Sequence, residues 1–338
     1  MRYRDAGVDI SRADALKEEL GRLVRSTWGA AVRPIPGGFA GVMAFPGAPG
    51  LLAATMDGVG TKLHLALAHG RVGDAAADLV YHGADDLLVH GARPLAFLDY
   101  IAQSRLDPGV VLAVVEGLAR ACRETGAALL GGETAEMPDT YLPGVVDVAG
   151  CMLGVVDPQM VLDGARVRPG DAVLGLGSDG LHTNGFSLAR RVLALSGLPA
   201  EAPLPGAGGV RLVDALLAPH RWYGPALAPP LARGAVRALA HVTGGGIAGN
   251  LVRVLPDGCR ARVRPFEPPP LFRWLMAAGE VPLEDARAAL NLGVGMLVVC
   301  APEEAAPLAA ELAAAGERVS ELGRIVEGAR GVEWSDMA

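Results

Sequence analysis

The chain has 338 residues, 51% of them apolar and 20% charged, which excludes disordered and fibrous classes and points to about two domains. Thirty basic residues stand against 37 acidic ones, a formal net charge of −7. That balance argues against a sequence-independent nucleic-acid binder, which needs a basic stripe to neutralise phosphates.

Ser11 and Asp14 open a predicted helix whose apolar stripe is Leu16, Leu20, Leu23 and Val24. The start, MRYRDAGVDISR, lacks the apolar core of a signal peptide, so a cytoplasmic protein is expected. Pro36 to Met56 carries no charge, but Pro36, Pro46 and Pro49 forbid a continuous helix, so no membrane span is expected there. It reads as a Gly/Pro loop running into strand 51–55. A helix follows over 74–90, a strand over 94–102, a helix over 108–125, a short buried strand over 128–132 and a long apolar strand over 145–156. The polar, turn-rich stretch 163–171 places a domain boundary between 168 and 169. Beyond it come strand 172–177, helix 186–195, an exposed Pro/Gly/Ala-rich excursion over 199–209, strand 295–301 and helix 303–316. Both halves, 1–168 and 169–338, mix strand and helix, so the class is α/β or α+β.

Only Lys17 and Lys62 are lysines, and neither precedes Ser or Thr, so the Walker A pattern is absent. The four cysteines form no Cys-x-x-Cys pair and read as small buried hydrophobes in a reducing compartment. Six glycine clusters lie beside acids or hydroxyls: GGFAG (37–41), DGVGTK (57–62), GGET (131–134), SDGLHTNG (178–185), TGGG (243–246) and LGVG (292–295). Glycine turns backbone N–H groups toward an anion and lets a phosphate approach, so the set points to phosphate handling, although any one cluster is more simply a turn. In Asp57-Gly58-Val59-Gly60-Thr61-Lys62 a strand end delivers a carboxylate, a hydroxyl and an ammonium, the inventory for Mg²⁺ and a polyphosphate. The plainer alternative is a strand–turn–helix with a solvated lysine. Asp78, Asp85, Asp86, Asp99, Glu133 and Glu136 are further candidate metal carboxylates, with Glu133, after a strand and two glycines, the best placed. Gly175-x-Gly177-x-x-Gly180 matches a dinucleotide fingerprint, but HTNG (182–185) delays the following helix to Phe186, which argues against that fold. His182 and His241 sit beside glycine loops and are candidates for ligand contact or loop hydrogen bonding. His64, His69, His82, His90 and His220 are most simply structural.

Taken together, GGETAEMP after DGVGTK, with YRDAGVDI, PGGFAG, HTNGFSLARRVL and HVTGGGIAGN, resembles the phosphoribosylformylglycinamidine cyclo-ligase (aminoimidazole ribonucleotide synthetase) family almost end to end. The resemblance implies two α/β domains, with N-terminal strands pairing across a homodimer into a barrel. It implies that ATP phosphorylates the formyl-amide oxygen of formylglycinamidine ribonucleotide, after which the amidine-side nitrogen attacks that carbon and phosphate leaves. Carried over by motif, Asp57, Lys62 and His182 would be catalytic, and Asp57, Asp86 and Glu133 would hold Mg²⁺. Gly37, Gly38 and Phe39 would form a mobile loop over ATP, with Gly58, Gly60, Thr61, Lys62, Glu133 and Thr134 contributing to its site. Thr183, Asn184 and His241 would line the substrate.

Three departures stand out: Met56 in place of the family's usual Thr, Asp85 in place of Asn, and Leu290 in place of Phe. Asp85 is expected to add a charge near the metal. Among relatives on the same plan, a selenide-activating enzyme would carry Cys in an N-terminal glycine loop, and a hydrogenase-maturation protein would end in Cys; this chain does neither. A thiamine-phosphate kinase is the nearest enzymatic rival, and a catalytically silent ligand-binding paralogue is the rival from outside enzymology.

Overall fold

The computed structural model describes residues 24–45, 47 and 49–335. The helix expected from Ser11 to Leu23 lies outside them. The first half carries β1 (Val32–Arg33), β2 (Gly41–Ala44), β3 (Leu51–Gly58), α1 (Lys62–Ala68), α2 (Val72–Leu88), β4 (Arg93–Gln103), α3 (Pro108–Thr125), β5 (Ala128–Glu136) and β6 (Val146–Val156). Its sheet has the order β1-β2-β3-β6-β4-β5, antiparallel except for the β4–β5 pair.

The second half carries β7 (Ala172–Gly177), α4 (Phe186–Ser196), α5 (Leu212–Leu216), α6 (Gly224–Ala232), β8 (Val236–His241), α7 (Gly246–Leu251), β9 (Cys259–Val263), α8 (Pro270–Ala278), α9 (Leu283–Ala289), β10 (Val294–Cys300), α10 (Pro302–Ala314), β11 (Val319–Glu327) and β12 (Gly331–Trp334). These strands form a second sheet, β12-β9-β11-β7-β10-β8, with only the β9–β12 pair parallel. Its β7 is antiparallel to both neighbours and the next helix opens at Phe186, so the Gly175–Gly180 pattern is not a dinucleotide site.

Local chemistry accounts for the sharpest boundaries. Asp107 caps α3 by accepting from the amides of Gly109 (2.9 Å) and Val110 (3.3 Å), Pro108 occupies the first turn, and Gly126 ends the helix at φ 76°. Helix α2 lies backbone to backbone on α3, because a Cβ on Gly117 would sit 1.9 Å from the Gly73 carbonyl oxygen. Its other sides meet the first sheet, where Gly83 packs on Met152, and the second half, where its aspartates Asp78, Asp85 and Asp86 find partners. It is therefore buried almost all round rather than on one stripe. One apolar core joins Leu79, Phe97 and Met152 of the first half to Leu188, Leu212 and Leu275 of the second.

One expectation changes. The segment at 128–132 is part of a longer edge strand, β5, and is mostly exposed, with Leu130 at 67%. As the last strand of its sheet it has one neighbour and no cover of its own. The excursion at 199–209 is mostly exposed, as expected; the Leu204 amide donates to Val210 O at 2.7 Å, and Leu204 is its one buried residue. The first sheet is open within one chain. Its face away from α2 carries Ala54, Met56, Cys151, Leu153, Ala96 and Leu98 in register, and Met56 is 70% exposed.

Candidate active site

The site sits where β3 and α2 of the first half meet the loops after β7 and β8 of the second. Its rim holds Asp57, Gly60 and Thr61 at the end of β3, and Asn184, Ser187, Thr243 and Gly244 from the second half. Thr61 Oγ1 lies 3.1 Å from Ser187 Oγ, tying the DGVGTK turn to the HTNG loop. HTNG and TGGG run side by side, since a Cβ on Gly244 would meet Asn184 Nδ2 at 3.7 Å. TGGG turns through Gly246 at φ 63°, where any Cβ would strike the Arg287 carbonyl oxygen at 1.9 Å.

Asp57 and Asp86 bracket one imidazole. His82 Nε2 lies 2.9 Å from Asp57 Oδ2 and 3.7 Å from Asp86 Oδ2. Burial works against the Asp57 carboxylate, but the hydrogen bond and charge of His82 and the Gly58 amide outweigh it and hold it below the usual carboxylate range. Burial also opposes the charge on His82, yet Asp86 and Asp57 push its pKa up. Thr55 Oγ1 donates to Asp86 Oδ2 at 3.4 Å and to Phe39 O at 3.3 Å, linking the carboxylate to GGFAG. That loop is held: the Phe39 amide donates to His90 Nε2 at 2.9 Å, Arg253 stacks on the Phe39 ring at 3.5 Å, and its guanidinium donates to Gly37 O and Gly38 O. A cavity of about 370 Å³ opens beside it, lined by Gly38, Phe39, Thr55 and Met56 among others.

Several expected site residues stand elsewhere. Lys62 opens α1, and its side chain turns inward to 1% exposure. Its Nζ pairs with Asp78 and donates to the His182 carbonyl at 2.9 Å, so it faces the interior and not the rim. His182 takes a left-handed backbone, φ 61°, and the Lys62 contact to its carbonyl helps fix that turn. Glu133 and Thr134 are exposed on β5, three strands from β3. At strand spacing that is about 14 Å, too far for Glu133 to share an ion with Asp57 of the same chain. Asp85, expected to add charge beside the metal, is 0% exposed, and burial pushes its carboxyl well above the usual range. Leu290 is buried and faces Gly185.

Below the rim the polar groups form a layer with no open access. His182, Thr183, His220 and His241 are all buried; Thr183 Oγ1 lies 3.0 Å from His220 Nδ1, and His241 Nδ1 lies 2.8 Å from Asp86 Oδ1. Burial drives the pKa values of His182, His220 and His241 down, and those of His182 and His220 far down. His82 and His220 thus belong with His182 and His241, although each alone reads as a structural histidine. Their sequence signal was only that they flank the Asp85–Asp86 pair and the loop before α6.

Comparison with known proteins follows this geometry. Residues 37–156 match the family model for AIR synthase related protein, N-terminal domain, and residues 168–335 the model for its C-terminal domain. The chain is 46% identical to a phosphoribosylformylglycinamidine cyclo-ligase of Sorangium cellulosum, over 96% of this chain and 95% of that one. It is 44% identical to one from Xanthomonas oryzae pv. oryzae, over 96% and 97%. Among solved structures it shares its fold with AaThiL complexed with AMPPCP and TMP, with TM-score 0.66, 16% identity, and 99% and 95% of the two chains covered.

Proposed function

The chain belongs to the phosphoribosylformylglycinamidine cyclo-ligase family, and on that premise we propose how its residues carry the reaction. It is a C–N bond-forming ligase of purine biosynthesis that converts formylglycinamidine ribonucleotide to 5-aminoimidazole ribonucleotide. In our reading the γ-phosphoryl group of ATP passes to the formyl-amide oxygen. The amidine-side nitrogen then attacks that carbon, closing the ring, and the C–O bond breaks to release phosphate with the former amide oxygen.

The observation that carries the assignment is the pair of carboxylates, Asp57 and Asp86, on either side of His82 at the mouth of the glycine loops. Mg²⁺ characteristically takes one or two carboxylates and fills its remaining positions with phosphate oxygens and water, so this donor set fits the ion. Asp57 and Asp86 would hold it, and it would supply charge neutralisation for the polyphosphate. Gly58, Gly60 and Thr61 offer backbone and hydroxyl donors to the phosphates, Gly37, Gly38 and Phe39 cover the nucleotide, and Asn184 faces the substrate from the rim. His182, Thr183 and His241 act from beneath, and Lys62 positions His182. A nucleotide analogue bound to a protein of the same fold supports ATP use.

The reading includes a homodimer. The open apolar face of the first sheet needs cover, and two such faces would close into a barrel, which would also bring Glu133 and Thr134 of β5 toward the partner's cleft. The division at 168/169, which separates the strands of one sheet from those of the other, and a cytoplasmic setting with four free thiols complete it.

Assaying ADP and aminoimidazole formation tests it. Purified protein should cyclise formylglycinamidine ribonucleotide only with both ATP and Mg²⁺ present. Product without nucleotide, or phosphorylation of thiamine phosphate instead, would overturn the assignment.

A further inference from the structure

Beneath the rim, three imidazoles from separate parts of the chain converge: His82 from α2, His220 from the loop before α6, and His241 at the end of β8. One ring nitrogen from each lies within 4.8 Å of the others. His82 Nδ1, His220 Nε2 and His241 Nε2 are buried and have no hydrogen-bond partner, and neither has Asp85 Oδ2. Unpartnered polar atoms in an interior are costly, and four gathered in one place call for a common partner.

The opposite ring nitrogens are all engaged. His82 Nε2 is 2.9 Å from Asp57 Oδ2, His220 Nδ1 is 3.0 Å from Thr183 Oγ1, and His241 Nδ1 is 2.8 Å from Asp86 Oδ1. Metal-binding histidines are oriented in this way, with a carboxylate or hydroxyl fixing the tautomer and leaving the other nitrogen's lone pair free. We propose that His82, His220, His241 and Asp85 form a closed metal site, with Zn²⁺ as its occupant.

The spacing suits a tetrahedral ion. Imidazoles bound at about 2.05 Å, with each nitrogen ~1.15 Å from its ring centroid, place the centroids about 5.2 Å apart. The observed separations are 5.4 Å for His82–His220, 4.8 Å for His82–His241 and 5.2 Å for His220–His241. The same bond lengths put neighbouring ligand atoms about 3.3 Å apart; His220 Nε2 lies 3.4 Å from Asp85 Oδ2, and the ring nitrogens, spread to within 4.8 Å of one another, would draw together on binding the ion. The rings meet at 61–72°, as ligands radiating from one point do. His182, stacked on His220 at 4.1 Å, covers the site.

Three nitrogens with one carboxylate select a borderline ion such as Zn²⁺ over Mg²⁺ or Ca²⁺, which take oxygen ligands. Four protein ligands leave no open position, so the site is structural and pins α2 to the second half. Asp57 and Asp86 border both this site and the nucleotide cleft, but the proposal requires neither bound nucleotide nor turnover.

The test uses full-length protein grown with zinc and purified without chelator or immobilised metal, its metal measured by mass spectrometry. About one Zn²⁺ per chain is expected, retained on dialysis against EDTA at neutral pH. Stripping under mild acid should lower the melting temperature and added Zn²⁺ should restore it. Co²⁺ loaded in its place should give the intense visible absorption of a tetrahedral ion, a readout that needs no variant. His220→Thr and His82→Met should lose the metal. Less than about a tenth of an equivalent after growth and incubation with Zn²⁺ would overturn the proposal, as would full occupancy in His220→Thr.

Discussion

Replacing Lys62 by methionine deletes an ammonium while keeping most of the side chain's length, and the structure fixes what remains. Asp78, with 1% exposure, would keep one hydrogen bond, from the His220 amide at 2.8 Å, and lose its counter-charge. Breaking one side of a buried pair costs about 3–5 kcal/mol because the other charge is stranded. In a cooperative unit of this size each kcal/mol moves the melting temperature by roughly 2–4 °C, so Lys62→Met should melt roughly 6–20 °C below wild type. Lys62→Arg keeps the charge but must fit a planar fork between Asp78, the His182 carbonyl and the Phe186 ring, whose centroid is 5.0 Å from Nζ. Overpacking of that kind costs about 1–3 kcal/mol, so it should melt between the other two. Adding Asp78→Leu to Lys62→Met removes the stranded charge, and the double variant should lose less than the two single losses summed. Calorimetry with parallel ADP-release kinetics measures all of this. A melting temperature for Lys62→Met within about 1 °C of wild type, beside a large fall in turnover, would refute the reasoning and return the ammonium to the phosphates.

Two further outcomes follow from the site and the open sheet. Asp57 is half-exposed at the rim, so Asp57→Asn should lower turnover at least tenfold, about 1.4 kcal/mol of barrier, with little change in melting temperature; wild-type turnover at saturating Mg²⁺ would remove Asp57 from the ion. Met56 and Leu98 lie in one row across the open face, flanking Cys151, so Met56→Glu with Leu98→Glu should split the dimer in light scattering, since obligate interfaces of this kind bury on the order of 2,000 Å² or more of largely apolar surface. A wild-type chain that is monomeric and fully active at micromolar concentration would contradict it.

What could be read without coordinates was whatever local chemistry decides. Helix 108–125 is correct to the residue because Asp107, Pro108 and Gly126 punctuate it. The scarcity of lysine marked Lys62 out but not its direction: its counter-charge Asp78, 16 residues on, read as a metal carboxylate, and its second acceptor, the His182 carbonyl, is 120 residues away. The strand read over 128–132 was legible as a strand, but neither its length to Glu136 nor its place at the sheet's edge was, since strand order is set by long-range pairing. His82 and His220 gave no individual signal; their meaning arises only when a helix, a loop and a strand end converge. Asp85 looked like added charge at the rim and is instead buried, with its oxygens turned to the Tyr223 amide and to His220, contacts that lie more than 130 residues away.

The near-complete burial of α2 also sets a timetable for synthesis. Asp85 waits for the Tyr223 amide, 138 positions later, and Asp86 for His241, 155 positions later. At the usual 5–20 residues per second, a ribosome takes roughly 8–30 s to deliver that last partner. Throughout that interval Asp85 and Asp86 lack the second-half groups that they meet in the finished fold. A pause placed between codons 156 and 241 would prolong that exposure.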